Sequence, residues 1–324
     1  MRARREREFR ARLEEIFAEL DPRTGRRDPR WLREQIESFD ELERPIAAVA
    51  LIERMKPASE EEREHALAAL REVGVVDLLL RASRGRMPWR RAGAVRTLGW
   101  IGAEEGVPLL IARLSDRNRH VRESAVRALG RIGDRRALQP LGELLRSPGL
   151  VGEGVVYDAL IAFGHDAEPV FAGALRSPTE SVRVASSFAV AAISDPATAR
   201  PLLEPLLQDG AAVVRAAAAE SLALVGGESM PEALARATRD ELAAVRNAAT
   251  AALGSHHDVR AVELALSALH DPDRDTAVHA GEALVRLSRQ PVAGPSARTA
   301  LREARTAWPV EWALPLSSIR GDHA

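Results

Sequence analysis

Apolar and small residues recur along this chain at the spacing of one helical face, and the face itself repeats. In the segment 121–134, VRESAVRALGRIGD, residues Val121, Ala125, Ala128, Leu129 and Ile132 stand at positions 1, 5, 8, 9 and 12. Those positions form a single stripe of an α-helix. Related segments begin at 62, 90, 155, 182, 214, 245 and 276, so eight copies succeed one another at steps of 27 to 34 residues. Gly stands at position 10 or 13 in most copies (Gly99, Gly102, Gly130, Gly133, Gly164, Gly226, Gly254) and reads as a helix end that turns sharply.

A second amphipathic run lies between the copies, as in Ala137–Leu145, Thr198–Leu207 and Ala261–Leu269. Pro recurs near its start, at Pro108, Pro140, Pro169, Pro201 and Pro231, where a first helical turn tolerates it. Each repeat is therefore expected to be two antiparallel helices, neither of which hides its apolar face alone. No stretch of strict alternation argues for a strand. The expectation is an all-α fold, an α-solenoid of about eight helix pairs over residues 59–290, with an N-terminal helical cap at 1–58 and a C-terminal cap or tail at 291–324. In the cap, Phe9, Leu13, Ile16, Phe17 and Leu20 share a stripe, and Trp31, Leu32, Ile36 and Phe39 share another. Near the end, RQPVAGPSA reads as a loop, Ala297–Thr306 as a short helix, and Trp308–Leu316 as a segment without a clear period.

Charged residues add a second regularity. Asp precedes the second helix and Arg stands six residues later, as Asp116 with Arg122, Asp209 with Arg215, and Asp240 with Arg246. The Asp can cap the helix amides, and the Arg can reach the Asp of its own or of an adjacent repeat, giving a ladder of charge-assisted bonds. The copies at 90, 155 and 276 lack one or both partners, so gaps are expected there.

These strings resemble bacterial HEAT repeats. The pattern VR-x-x-A-x-x-ALG-x-IGD, the preceding Asp and the x-x-P-x-L start of the first helix are similar to the short subtype named after phycobilisome lyases, over roughly residues 60 to 290. The resemblance implies a right-handed α-solenoid (an armadillo/HEAT superhelix) whose motif helices line the concave face. It also implies a protein that binds partners, although some proteins with these repeats attach bilins to cysteines and one cousin is a DNA glycosylase. The spacing is also similar to a group of actinobacterial proteins with an N-terminal membrane helix, encoded beside a membrane glycosyltransferase.

With positions 1, 5, 8, 9 and 12 buried, positions 3, 7 and 11 face the groove. Read along the array, they nominate Arg96, Trp100, Arg127, Arg131, Tyr157, Ile161, Val184, Phe188 and Leu224 as contacts for a protein or peptide partner: an apolar centre with Arg on its N-terminal side. The favoured expectation is a non-catalytic scaffold that uses this groove, such as an accessory subunit of a membrane enzyme like a glycosyltransferase. The alternatives are a nucleic-acid-binding protein or glycosylase, and a bilin-lyase-like protein.

Composition narrows the chemistry. The 324 residues hold 46 Lys and Arg against 47 Asp and Glu, a balance that argues against a strongly basic nucleic-acid binder. Arg is almost the sole base, Lys56 being the only Lys, which reads as a coding bias. There is no Cys, which excludes disulfides, thiolate metal sites and Cys nucleophiles in this chain. His256-His257-Asp258 reads as a turn, because adjacent helical side chains point about 100° apart. Asp271, Asp273, Asp275 and Glu282 echo a calcium loop but carry Thr276 where that loop needs Gly. Gly149, Gly152 and Gly154 have neither a preceding strand nor a following Lys, so they read as an extended turn. No catalytic residue, metal or cofactor is expected. No window reaches the roughly 18 apolar residues of a membrane span, so the expectation is a cytoplasmic protein. A cluster such as Arg2, Arg4, Arg5 and Arg7 also occurs on the cytoplasmic side of membrane helices, which leaves an upstream anchor as the alternative.

Overall fold

The computed structural model describes residues 74–307 except 148, 229 and 230, together with isolated positions before residue 74. Trp31, Leu32, Leu13, Phe17, Leu20, most of the copy at 62 and the segment from Trp308 onward lie outside the described residues. Contacts divide the chain into two units, Met1–Phe163 and Gly164–Ala324.

The first unit contains α1 (Val75–Ala82), α2 (Pro88–Trp100), α3 (Val107–Arg113), α4 (Arg119–Ile132), α5 (Leu138–Leu145) and α6 (Glu153–Ile161). The motif helices α2, α4 and α6 stack side by side, and α3 and α5 cover them from the other side. Val121, Ala125, Ala128 and Leu129 of α4 are buried, as the stripe requires, while Ile132 is half-buried. Val126 and Gly130 are buried as well, so the hidden face is wider than the five positions of the motif. Among the isolated N-terminal positions, Ile16, Ile36 and Phe39 are buried, and Phe9 meets Phe39 edge-on with ring centroids 5.4 Å apart.

The second unit repeats the scheme with α7 (Glu168–Ala174), α8 (Glu180–Ile193), α9 (Pro196–Leu203), α10 (Ala212–Val225), α11 (Glu232–Ala237), α12 (Ala243–Leu253), α13 (Val259–Ala268), α14 (Arg274–Ser288) and α15 (Gly294–Ala307). Here α8, α10, α12 and α14 form the row of motif helices, and α15 packs on α13 and α14. The loop expected over residues 289–297 is shorter than the sequence suggests, since α15 begins at Gly294 and buries Ala297, Ala300 and Leu301. Pro201 lies inside α9, and the helix tightens to a 3-10 turn over Glu204–Gln208, consistent with the amide that proline removes from the ladder. Among the described residues the only bridge of strand type is Gly227 with His256. Each unit is thus built as an all-α solenoid.

The motif glycines perform two different jobs. Position 13 ends the helix as expected: Gly133 has φ 72° and its amide bonds to the Leu129 carbonyl. At position 10 the glycines divide: Gly164, with φ 55°, and Gly254 follow the ends of α6 and α12 as expected, whereas Gly99 and Gly130 do not. Gly99 lies within α2, where an added Cβ would stand 2.4 Å from the Cα of Ala128 in α4. At Gly130 an added Cβ would likewise stand 2.7 Å from the Cα of Ala159 in α6. The backbones of neighbouring motif helices touch there, and only a hydrogen atom fits between them.

This packing makes the two kinds of position separable by substitution. Leu129 is fully buried, so Leu129→Ala should cost about 2–5 kcal/mol in urea unfolding. Reversing Glu123, whose partners Arg119 and Arg127 are exposed, should cost less than about 1 kcal/mol. Within α2, Gly99→Ala should lose about 1–3 kcal/mol by overpacking. Gly93→Ala, which meets nothing within 4 Å, should gain up to about 1 kcal/mol; melting temperatures shifted in opposite directions would show the two roles.

Candidate functional site

The Gly99–Ala128 contact sets the spacing of α2 and α4 and so brings their outer residues into register. Trp100 and Arg131 both occupy position 11, and the Arg131 guanidinium lies 4.1 Å from the Trp100 ring centroid, a stacked cation–π pair. Trp100 keeps 47% of its surface exposed. One turn earlier, Arg96 and Arg127 are both exposed, and Arg127 stands 4.0 Å from Glu123. The result is an Arg-and-indole face on the first unit. Stacking fixes the plane of Arg131 and leaves its N–H edge free to bind a carboxylate, while the open part of the indole offers a flat apolar surface.

The other nominated residues are divided between the two units. Tyr157 and Ile161 sit on α6 of the first unit and are half-buried. Val184 and Phe188 sit on α8 of the second unit and are half-buried too. Leu224, on α10, is 67% exposed beside exposed Glu220. The four residues expected to form the apolar centre are therefore partly covered, and the open positions are Trp100 and Leu224. Met87 and Trp89, 56% and 62% exposed, escape the repeat pattern because they stand just ahead of position 1; two large apolar residues outside the buried stripe were the available signal.

The Asp and Arg residues form charge-assisted pairs with a definite direction. Arg215 sends Nε and Nη2 to the two carboxylate oxygens of Asp240, at 2.7 and 2.9 Å. Its Nη1 donates to the Asp209 carbonyl of its own repeat at 3.0 Å. Arg246 treats Asp271 and Asp240 in the same way. Arg183 pairs with Asp209, and Arg91 with Asp116. The carboxylate thus comes from the next repeat and the carbonyl from the Arg's own. The gap expected at the copy at 90 is corrected: Arg91 does have its partner. The gap expected at the copy at 155 is present: Arg122 Nε donates to the Leu150 carbonyl at 2.7 Å, because the Gly-rich turn has no Asp to offer. Nor does the Asp cap the helix itself. Asp240 accepts from the Leu242 amide, closing the turn, and Leu242 then stands at the N-cap.

Asp258 caps α13 through the Arg260 amide, and His256 is buried with Nδ1 3.1 Å from the Ala252 carbonyl. Burial pushes the His256 imidazole below its usual pKa. Asp271 is engaged by Arg246, and Asp273 bonds to the amide and hydroxyl of Thr276. No cluster of three or more metal-ligating side chains occurs among the described residues. None of their helices is long and apolar enough to cross a membrane.

Comparison with known proteins matches the family described as HEAT repeats to residues 75–161 and 167–254. A bilin biosynthesis protein, PecE of Mastigocladus laminosus, is 41% identical over 95 residues, 29% of this chain and 33% of that protein. PecE of Nostoc sp. (strain PCC 7120) is 32% identical over 158 residues, 48% of this chain and 50% of that protein. The chain thus spans between a third and a half of the curated relatives it matches. The solved structure of Kap121p covers 93% of this chain and 39% of its own at 12% identity, with a TM-score of 0.58, a likeness of fold alone. The expectation that the chain is not an enzyme is corrected by the curated relatives: both are named for biosynthesis of bilins.

The Asp–Arg pairs generate an acid-stability prediction. The Arg215 bonds hold the Asp240 carboxyl below its ordinary value, and Arg246 does the same for Asp271. A carboxyl depressed in the folded state adds stability above its unfolded pKa, near 4, and loses it as pH falls through the folded value. Arg215→Ala should therefore cost about 1–3 kcal/mol at neutral pH, and the gap to wild type should narrow below about pH 4. Urea midpoints measured across that range check both the magnitude and the sign.

Proposed function

We propose that this chain, which belongs to the HEAT-repeat family, acts as a bilin-lyase-like subunit that holds a linear tetrapyrrole on the Arg-and-indole face of its first unit while a protein partner supplies the acceptor. What carries this reading is the 32% identity over 158 residues to PecE. The face is suited to such a ligand. A bilin is a flat chain of conjugated pyrroles bearing two carboxylates. Trp100 offers a stacking surface, and Arg96, Arg127 and Arg131 offer carboxylate donors.

The chain has no Cys, so a thiol that takes the pigment belongs to the partner. Such a lyase-type addition places the thiol S–H across a carbon–carbon double bond of the bilin: the C–S bond forms, the proton ends on carbon, and nothing is oxidised. For this step the chain's residues bind and orient the pigment rather than transfer its proton, since the face has only Arg, Trp and the ion-paired Glu123. A role beside a membrane glycosyltransferase draws no support from these relatives.

Titrating the full chain with biliverdin tests the reading. Red-shifted absorption with saturable binding is expected, weakened about tenfold or more by Trp100→Ala with Arg131→Ala, the cost of losing one stacking and one charged contact. Unchanged spectra in the wild type, or equal binding by the double variant, would remove this face from the proposal.

A further inference from the structure

A different surface of the first unit is unexplained by that reading. Residues 74–163 carry 15 Arg against 9 Asp and Glu, an excess hidden by the near-neutral total. Part of it is concentrated at one edge. The turns that precede α2, α4 and α6 are tied in a row, because Arg91 bonds to the Gly85 and Arg86 carbonyls and to Asp116. Arg122 then links the Asp116 carbonyl to that of Leu150. Segments 84–90 and 115–120 hold five Arg and one acid, Asp116, and Asp116 is consumed by Arg91. Arg86 and Arg117 form no ion pair among the described residues, and Arg90 lies over the Trp89 ring at 5.0 Å. From the same row project Met87, Trp89 and Leu150, exposed by 56%, 62% and 49%. Of the corresponding turns of the second unit, 177–179 and 209–211 hold no Arg and 240–242 and 271–275 are rich in Asp and Glu. A chain-wide coding bias toward Arg does not produce that contrast.

We infer that this edge of the first unit docks on an anionic lipid surface, with Arg86, Arg90 and Arg117 at the phosphates and Met87, Trp89 and Leu150 inserted at the boundary between headgroups and acyl chains. Charge complementarity argues for an anionic partner. The apolar residues select a membrane over a nucleic acid: Met and Leu gain nothing from phosphates and water, whereas an indole with a flanking guanidinium is suited to the interface, where one side is apolar and the other wet. Met87 and Trp89 share one Arg-flanked turn and Leu150 stands on another, as tips that enter a soft surface. The inference is independent of the proposed pigment face, since Trp100 and Arg131 are not part of this edge.

Co-sedimentation of the full chain with vesicles tests it. Binding is expected to vesicles containing about one-third phosphatidylglycerol and not to phosphatidylcholine alone, with affinity falling at least about tenfold at high salt. The triple variant Arg86→Glu, Arg90→Glu, Arg117→Glu should lose binding while keeping its helical circular dichroism, because all three side chains lie outside the Asp–Arg ladder. A second variant, Met87→Ser with Trp89→Ser and Leu150→Ser, should weaken binding without altering charge. A blue shift of Trp emission on binding should disappear in Trp89→Phe. The Trp100→Ala, Arg131→Ala protein should bind vesicles as wild type does, which separates failure of this inference from failure of the pigment proposal. Equal binding to neutral vesicles, retention by the triple variant, or binding of duplex DNA with no binding of vesicles would overturn it.

Discussion

Everything in the first unit depends on how closely one motif helix lies against the next. At Gly99 and Gly130 the approach leaves no room for a Cβ, and the buried stripe of Leu98, Val121, Leu129 and Leu160 closes only at that distance. A repeat of this kind has no core of its own; its apolar face is hidden by its neighbour. The backbone contact therefore sets the rise of the array and the register of its outer residues. It is also why Trp100 and Arg131, 31 positions apart in sequence, meet as a stacked pair.

The Arg–Asp pairs act on the same junctions from the turn side. Each Arg reads a carbonyl at home and a carboxylate next door, so it fixes one turn relative to the following one. These groups are mostly hidden from water, with side-chain exposures of 15% for Arg246 and 10% for Asp271. A buried pair of this type contributes modest net stability, yet it penalises any slip that leaves one member alone. Apolar packing can tolerate small sliding of one helix past another; a bidentate fork cannot.

Much of this was legible in the sequence because the repeat shows the same pattern several times over. The helix pairs, the buried stripe and the Asp and Arg positions could be read from residues 121–134 and their relatives. The direction of the Arg–Asp bonds was not legible: six residues separate Asp209 from Arg215 within a repeat and 25 separate Arg215 from Asp240, and only packing decides between them. Gly99 and Gly130 looked like helix ends, as Gly164 and Gly254 are, because a single sequence cannot distinguish a turn from a close approach. The apolar centre expected at Tyr157 and Phe188 is half-buried because real helices bury a broader arc than five motif positions. Whole-chain charge misled in another way: an average near zero concealed a basic first unit. Of the chemistry, the Arg and Trp identities could be read, but their pairing could not, and an expectation of no activity was drawn from the lack of a nucleophile, although a partner can supply one.

The bond from Arg122 to the main chain at Leu150 has a consequence of its own. A peptide carbonyl holds no exchangeable charge, so this single joint is indifferent to acid, whereas the joints at Asp116, Asp209, Asp240 and Asp271 all weaken as their carboxylates take up protons. In an acidic compartment the array would come apart at its regular joints first. The irregular turn, the feature that looks most like a flaw in the repeat, would be the last of the linked turns to let go.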